Sequence, residues 1–249
     1  MPANRIIPSL LMRDMRLVKG VRFADHRDAG APATTARAHA AQGADEVVLL
    51  DIERPSSGRP NFAVLEQVAR ELTVPLTYGG GVTDVKTAAR CIEHGADKVC
   101  LTGPALDRPD LLGDIARLFG VQAVVAGVDV LAVDGKWRVY DHRSGTFAKP
   151  ALADWVRTVV DAGAGEVRLV SVDREGSRRG MDIDLWRHVR GLIDVPLILE
   201  GGVGTLPHVG DAMKQGVDSV GLGTMLVFSD NNLVKVRRYL GSVGVAVRP

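Results

Sequence analysis

An internal repeat constrains this chain more than any other feature of its sequence. The segment PLTYGGGVTDVKTAARCIEHGADKVCLTGPAL, from Pro75, aligns without a gap with PLILEGGVGTLPHVGDAMKQGVDSVGLGTMLV, from Pro196, at an offset of 121 residues. A second pair, GADEVVLLDIER from Gly43 and GAGEVRLVSVDR from Gly163, repeats at an offset of 120 residues. Because such copies are single structural units that stack on a shared core, the chain is expected to consist of two similar halves with no linker between them.

Short apolar runs alternate with stretches of helical periodicity. The predicted strands are Ile6–Leu11, Val47–Ile52, Val74–Tyr78, Lys98–Thr102, Ala123–Val128, Val167–Val172, Val195–Leu199 and Ser219–Leu222. The predicted helices are Thr35–Gln42, Phe62–Leu72, Val85–His94, Leu111–Phe119, Leu152–Ala162, Leu185–Leu192 and Val209–Gln215. Thr83 or Asp84 is expected to cap the third helix, and Ser229 or Asp230 the last one.

Eight strands alternating with helices over 249 residues predict an α/β fold, a single (β/α)8 TIM barrel. The barrel would occupy residues 1–249, with half-barrels at about 1–120 and 121–249. An open doubly wound sheet is the alternative, but it usually carries a glycine-rich fingerprint after its first strand, and none follows Leu11.

Composition excludes several classes of function. A formal net charge of +1 and 4% aromatic residues give neither the basic field nor the stacking surfaces of a nucleic-acid-binding protein. Two cysteines without metal-ligand spacing indicate neither a disulfide framework nor a metal site, and no cofactor is expected. No apolar run reaches membrane-spanning length and no signal peptide is evident, so a cytoplasmic protein without membrane contact is predicted.

Glycines follow four of the predicted strands, two in each half. They belong to Gly80-Gly81 and Thr102-Gly103 in the first half, and to Gly201-Gly202 and Gly223-Thr224 in the second. Glycine lets a backbone approach phosphate closely, and free amides at the next helix start can bind the anion, although glycines also serve in plain tight turns. The repeat predicts two phosphate sites on opposite sides of one barrel mouth, spanned by a bisphosphate. Glu200, which directly precedes Gly201-Gly202, argues against a phosphate site there, because its carboxylate would repel phosphate unless it pointed away.

Motifs at every strand end resemble the HisF family, the cyclase subunits of imidazole glycerol phosphate synthase. They are RII at 5–7, LVKG at 17–20, LLDI at 49–52, GGGV at 79–82, GADKV at 95–99, VQAVV at 121–125, VDG at 133–135, GAGE at 163–166 and SVDREGSRRG at 171–180. The resemblance implies a heterodimer with a HisH-like glutaminase, whose ammonia crosses the barrel to react with a phosphoribosyl bisphosphate. It also implies two catalytic aspartates that end strands one and five.

Only one of those aspartates is present. Asp129 matches the aspartate of strand five, whereas Leu11 stands where the family has that of strand one. Leucine cannot transfer a proton, and losing one acid/base group costs roughly 10²–10⁴ in rate. The stretches IIPSLLM, GRPNFAVLE and PLTYGGG resemble HisF-like paralogues of surface-polysaccharide clusters, implicated in converting acetamido to acetamidino sugars together with a separate sugar amidotransferase.

Four charged residues at strand starts match the ring that the family places at its ammonia entrance: Arg5, Glu46, Lys98 and Glu166. Two cations and two anions can neutralise one another on a barrel floor, whereas four independent surface charges are the simpler alternative. Asp97 matches a family residue that contacts the glutaminase.

Other residues are expected near a phosphorylated or nucleotide-sugar substrate. They are Lys19 in the first βα loop, Asp51 at the end of strand two, and Ser171 and Asp173 at the end of strand six. His142 in the long loop after strand five is either a second acid/base group or an exposed histidine.

Three functions stay open: an ammonia-using synthase subunit of the polysaccharide type, a genuine histidine-pathway cyclase, and a non-catalytic ammonia conduit. A HisA-like isomerase is weaker, because that chemistry also needs the strand-one carboxylate.

Overall fold

The computed structural model describes residues 4–52 and 58–248, and the described chain alternates strands with helices. The strands are β1 (Arg5–Arg13), β2 (Arg16–Val21), β3 (Ala24–Gly30), β4 (Val47–Asp51), β5 (Leu76–Gly79), β6 (Lys98–Leu101), β7 (Val124–Val133), β8 (Lys136–Asp141), β9 (Thr146–Ala151), β10 (Glu166–Ser171), β11 (Leu197–Glu200) and β12 (Ser219–Leu222). The helices are α1 (Pro32–Ala41), α2 (Phe62–Glu71), α3 (Val85–Glu93), α4 (Gly103–Asp107), α5 (Asp110–Phe119), α6 (Leu152–Asp161), α7 (Ile183–Arg190), α8 (Leu206–Lys214), α9 (Thr224–Val227) and α10 (Leu233–Ser242).

Eight parallel strands close into one barrel. Their order around it is β1, β4, β5, β6, β7, β10, β11 and β12, and β12 pairs with β1 to complete the circle. All eight strands predicted from the sequence are present in this barrel, so the predicted (β/α)8 TIM barrel is confirmed. Each half of the repeat supplies four consecutive strands.

Two antiparallel hairpins stand where loops were expected. β1 runs beyond the barrel and pairs with β2, which pairs with β3; β7 likewise pairs with β8, and β8 with β9. The predicted first and fifth strands, which end at Leu11 and Val128, were therefore too short. The apolar run of the fifth strand is interrupted at Asp129, although Val130–Val133 continue β7 beyond it. The next strand, KWRVYD, alternates polar and apolar residues and lacks the apolar run of a buried parallel strand.

Barrel strands bury both faces. In β1, Ile6 packs outward with the helices while its neighbour Ile7 packs inward with Val48 and Ile198. Since successive side chains of a strand point to opposite faces, every second residue of each barrel strand faces the lumen. This alternation assigns lumen positions to residues that the apolar runs alone do not distinguish.

The helix ends agree in part with the predicted caps. The Asp84 carboxylate accepts a hydrogen bond from the amide of Thr87 at 2.7 Å, as expected for α3. The prediction of Ser229 or Asp230 for the last helix was wrong, because the Asn232 side chain caps α10 by accepting from Lys235 at 2.9 Å. No helix in the described ranges is long and apolar enough to cross a bilayer.

Candidate functional site

Leu11 and Asp129 occupy equivalent places in the two halves. Leu11 pairs with Leu50 of β4, and Asp129 pairs with Val170 of β10, which is the repeat counterpart of Leu50. Both side chains lie at the mouth, where Leu11 is 7% and Asp129 is 4% exposed. One half therefore has an apolar side chain at the position where the other half has a carboxylate.

Asp129 has a partner that the sequence did not reveal. His142, at the turn between β8 and β9, places its Nδ1 2.9 Å from Asp129 Oδ2. This hydrogen bond raises the pKa of His142 above its ordinary value, although burial opposes the change. Neighbouring Arg143 is held by Asp141 and Asp107, which fixes the turn. His142 is thus exposed, as one of the two expectations had it, and is also held by a hydrogen bond that the sequence did not indicate.

The second glycine cup is formed by Gly201, Gly202, Gly223 and Thr224, and it borders a small cleft. A Cβ at Gly202 would lie 2.0 Å from the carbonyl oxygen of Gly180, so close backbone approach alone requires this glycine. Two buried hydroxyls on the cleft, Ser9 Oγ and Thr224 Oγ1, have no hydrogen-bond partner among the described residues. Because buried hydroxyls are normally paired, they point to a polar ligand in this cleft.

Lys19 reaches the same cleft, though not from a loop as predicted. It lies on β2, is 6% exposed, and places its ammonium 3.0 Å from Glu175. The ammonium also lies over Gly223, where an added Cβ would come within 2.4 Å of it. A lysine ammonium that is paired with a buried carboxylate therefore lies at the second glycine cup.

The negative charge of Glu200 near the second cup is balanced by a cationic partner. Its carboxylate accepts two hydrogen bonds from Arg168, one of them from Nε at 2.7 Å, and both residues are 5% exposed. Burial would lower the pKa of Arg168, yet Glu200 outweighs it and the net pKa is raised. The pair is thus a buried ion pair within the lumen, between floor and mouth.

The first glycine cup is more crowded. Gly80 approaches Asp51 so closely that a Cβ would lie 2.1 Å from the carbonyl oxygen of Asp51, and the Arg143 side chain covers Gly103. Thr102 lies between β6 and α4, with its hydroxyl over Gly127 of β7. Since β5–β6 and β11–β12 are diametrically opposed in the strand order, the two cups face each other across the mouth.

Ser171 and Asp173 shape the end of β10. The backbone carbonyl of Ser171 accepts hydrogen bonds from the amides of Arg174 and Glu175. The Asp173 carboxylate accepts from the amide of Ala132 at 2.6 Å, which ties this loop to β7. These contacts position the loop that carries Glu175 to Lys19.

The four predicted floor charges form one network across the lumen. Lys98 Nζ lies 2.8 Å from Glu46 and 2.7 Å from Glu166, and Arg5 contacts both carboxylates. The strands of Lys98 and Glu166 are not neighbours, so this contact must pass through the interior. Burial opposes ionisation of Glu166, but Lys98 and Arg5 outweigh it and lower its pKa. Four independent surface charges are thereby excluded.

Asp97 lies beside this network on the outside of the floor. It is exposed, and its carboxylate accepts a hydrogen bond from the amide of Leu76 at 2.8 Å. The predicted partner-interface residue therefore also fixes the start of β5.

Comparison with known proteins agrees with this geometry. The sequence model of the family described as "Histidine biosynthesis protein" matches residues 5–231. The imidazole glycerol phosphate synthase subunit HisF of Exiguobacterium sibiricum is 39% identical over 246 residues, which cover 98% of this chain and 99% of that protein. The chain belongs to the HisF family. The resemblance inferred from the strand-end motifs is confirmed at this level.

Sequence reasoning missed the pairs His142–Asp129 and Arg168–Glu200. Arg168 carried a usable signal. It is a charged residue inside the apolar run VRLV, and the alternation of side chains along the strand places it on the inward-facing side. A buried arginine requires an acceptor, and Glu200 on the adjacent strand was the candidate. The contact of His142 had no such signal, since a hairpin determines its position.

Proposed function

We propose that this chain is the ammonia-using synthase subunit of a cytoplasmic glutamine amidotransferase complex. A HisH-like glutaminase would bind the floor of the barrel, and ammonia would pass through the lumen to an acceptor at the mouth. The charged network of Arg5, Glu46, Lys98 and Glu166 is the observation that carries the proposal. The two carboxylates are buried and the two cations are half-buried. Burying charge is costly and adds little net stability, so a plain packed core offers no reason to place this network there.

The mouth supports a phosphorylated acceptor. An anionic group at the second cup is favoured by the two opposed glycine cups and by the Lys19 ammonium. It is also favoured by the hydroxyls of Ser9 and Thr224, which have no partner in the part of the chain that the structure describes. Asp129 is the acid/base group at this end of the lumen. No residue is assigned to a metal or a cofactor in this proposal.

Leu11 distinguishes the possible acceptors. It favours transfer of ammonia toward an acetamidino group on a nucleotide-linked acetamido sugar, carried out together with a separate sugar amidotransferase. Cyclisation of the phosphoribosyl bisphosphate is the second candidate, favoured by the two opposed cups and by the 39% identical HisF. A pure conduit is disfavoured, because Asp129 and its hydrogen-bonded partner would then have no task.

Two assays test the acceptor. In the first, the chain alone receives ammonium chloride and the phosphoribosyl bisphosphate, and cyclised product is measured. In the second, the complex with glutaminase and sugar amidotransferase receives ¹⁵N-amide glutamine and the acetamido sugar, and mass spectrometry follows the label. We expect label in an acetamidino product and no cyclisation at ordinary enzyme rates, roughly 1–10³ per second. Cyclisation at such rates would instead establish the second candidate.

Variants of the floor test the route of ammonia. We expect Lys98→Met to lower glutamine-driven product formation while ammonium-driven formation stays, whereas Lys98→Arg, which keeps the charge, retains both. Exposed Arg70→Ala on α2 is the matched control. Equal loss of both activities in Lys98→Met, with Lys98→Arg normal, would contradict a role for the floor in ammonia passage.

A further inference from the structure

His142 and Asp129 form a pair of titratable groups at the mouth whose geometry suits proton transfer. Asp129 is 4% exposed, and its Oδ2 is bound to Nδ1 of His142 at 2.9 Å. The side chain of His142 itself is 43% exposed. A carboxylate on Nδ1 fixes the imidazole orientation and leaves Nε2 as the nitrogen that can exchange a proton.

The surroundings hold this arrangement in place. The β8–β9 turn is braced by Arg143, whose guanidinium binds Asp141 and Asp107. From the other hairpin, Phe23 meets the His142 ring edge-on, with 6.4 Å between the ring centres. Besides Asp129, the charged groups acting on His142 are Asp141 and Arg143, which oppose each other.

We propose that His142 and Asp129 act as one proton-transfer unit, with His142 Nε2 as the atom that exchanges the proton with the acceptor. This inference rests on the proposed function and deepens it. The unit supplies, within the second half, the second acid/base group that Leu11 withholds from the first half. Its assignment does not depend on which of the two acceptors is correct.

The proton balance of the step is simple. As ammonia nitrogen bonds to the acceptor's carbonyl carbon, the C=O π bond breaks and its electron pair moves to the oxygen. The nitrogen gains positive charge and releases a proton to Nε2. The imidazolium is stabilised by the Asp129 carboxylate, which keeps its negative charge, and the Nδ1 proton stays between them. Nε2 then returns that proton to the oxygen, which gives a carbinolamine. A second transfer by the same unit, from nitrogen to the hydroxyl, forms the C=N bond as the C–O bond breaks and water leaves, and the unit regains its starting state.

Histidine titration by NMR tests the pair without turnover. In the unsubstituted protein we expect His142 to titrate above the ordinary imidazole range, and in Asp129→Asn to return toward it. His188→Gln is the control. His188 is exposed, lies far from Asp129 in the sequence, and packs its ring against Trp137 of the same hairpin. An unchanged His142 titration in Asp129→Asn would overturn the proposal.

Kinetics test the proton transfer, using the acceptor that the two assays above identify. We expect His142→Gln to lower kcat by roughly 10²-fold or more with little change in KM, and to remove the low-pH limb of the rate profile. Residues that act as a unit are not additive, so Asp129→Asn combined with His142→Gln should be no slower than the slower single variant. His188→Gln should match the unsubstituted protein.

The outcomes separate this inference from the proposed function. If the unsubstituted complex turns over and the His142→Gln complex has the same rate at every pH, the inference alone is overturned. A double variant whose loss is the product of both single losses would also overturn it. Absence of turnover with either acceptor would overturn the proposed function, and the inference with it.

Discussion

The two halves of the barrel share a backbone plan and differ in the chemistry of their lumen. Leu11, Val48 and Gly79 line the first half, and their register counterparts in the second are Asp129, Arg168 and Glu200. At these three positions above the floor network, the first half carries no charged side chain and the second half carries three, and we call the two sides the apolar wall and the charged wall. The comparison teaches that strand pairing and helix packing preserve the repeat on the outside of the barrel, while the inward-facing residues are free to diverge.

Charged residues could replace apolar ones in the lumen only where each buried charge has a partner. Arg168 and Glu200 are buried on adjacent strands, so each provides the partner that the other needs. Asp129 obtains its partner from the hairpin instead. The apolar wall required no such coupling, because apolar side chains bury favourably one at a time.

The largest expected difference between the two halves is in the rates of variants at the mouth. Asp129→Asn is expected to lower the rate of product formation by roughly 10²–10⁴-fold, because it removes the carboxylate of the charged wall. Leu11→Met, at the equivalent place in the apolar wall, should leave the rate close to that of the unsubstituted protein. Steady-state kinetics of the complex measure both, and equal losses would show that the walls do not differ in function.

The buried ion pair gives the next effect. Arg168→Met should lower the free energy of unfolding by about 3–5 kcal/mol, because it leaves Glu200 buried without its partner. Arg168→Met combined with Glu200→Leu should recover most of that loss. On the apolar wall, Ile7→Val should cost only about 0.5–1.5 kcal/mol. Urea unfolding monitored by circular dichroism decides, and a double variant as unstable as the single one would contradict the pairing.

Helix caps sharpen the comparison outside the lumen. Asp84 caps α3, whereas Thr205, its counterpart in the repeat, makes no side-chain hydrogen bond to α8. Asp84→Ala should therefore lower the free energy of unfolding by about 0.5–2 kcal/mol, and Thr205→Ala by clearly less. Similar values in urea titrations of the two variants would show that the caps are equivalent.

The smallest expected effect is a pH dependence. The pKa of His142 is raised in the folded state, so its pairing with Asp129 stabilises the protein fully below the ordinary pKa of 6.5. That contribution is lost as the pH rises through the raised folded value, and it amounts to about 1 kcal/mol or less. Unfolding free energies measured on both sides of this window should show the change in the unsubstituted protein and not in His142→Gln.

Much of the fold was readable before any coordinates. Repeat offsets of 120 and 121 residues placed the two halves, and the alternating runs placed all eight barrel strands. The floor residues were predicted as a set, since each begins a strand or directly precedes one. Strands β3, β8 and β9 were missed because their largely solvent-facing residues resemble a polar loop. Strand β2 was missed because its buried run, residues 17–20, is short and contains a lysine.

The sequence by itself determined the barrel, its twofold repeat and the missing carboxylate at Leu11, because these follow from periodicity and residue identity. Only the tertiary structure decided that His142 meets Asp129 and that Arg168 neutralises Glu200. Those contacts join residues 13 and 32 positions apart in the chain. Such contacts depend on strand register and hairpin geometry, which the packing of the whole barrel sets and local sequence does not.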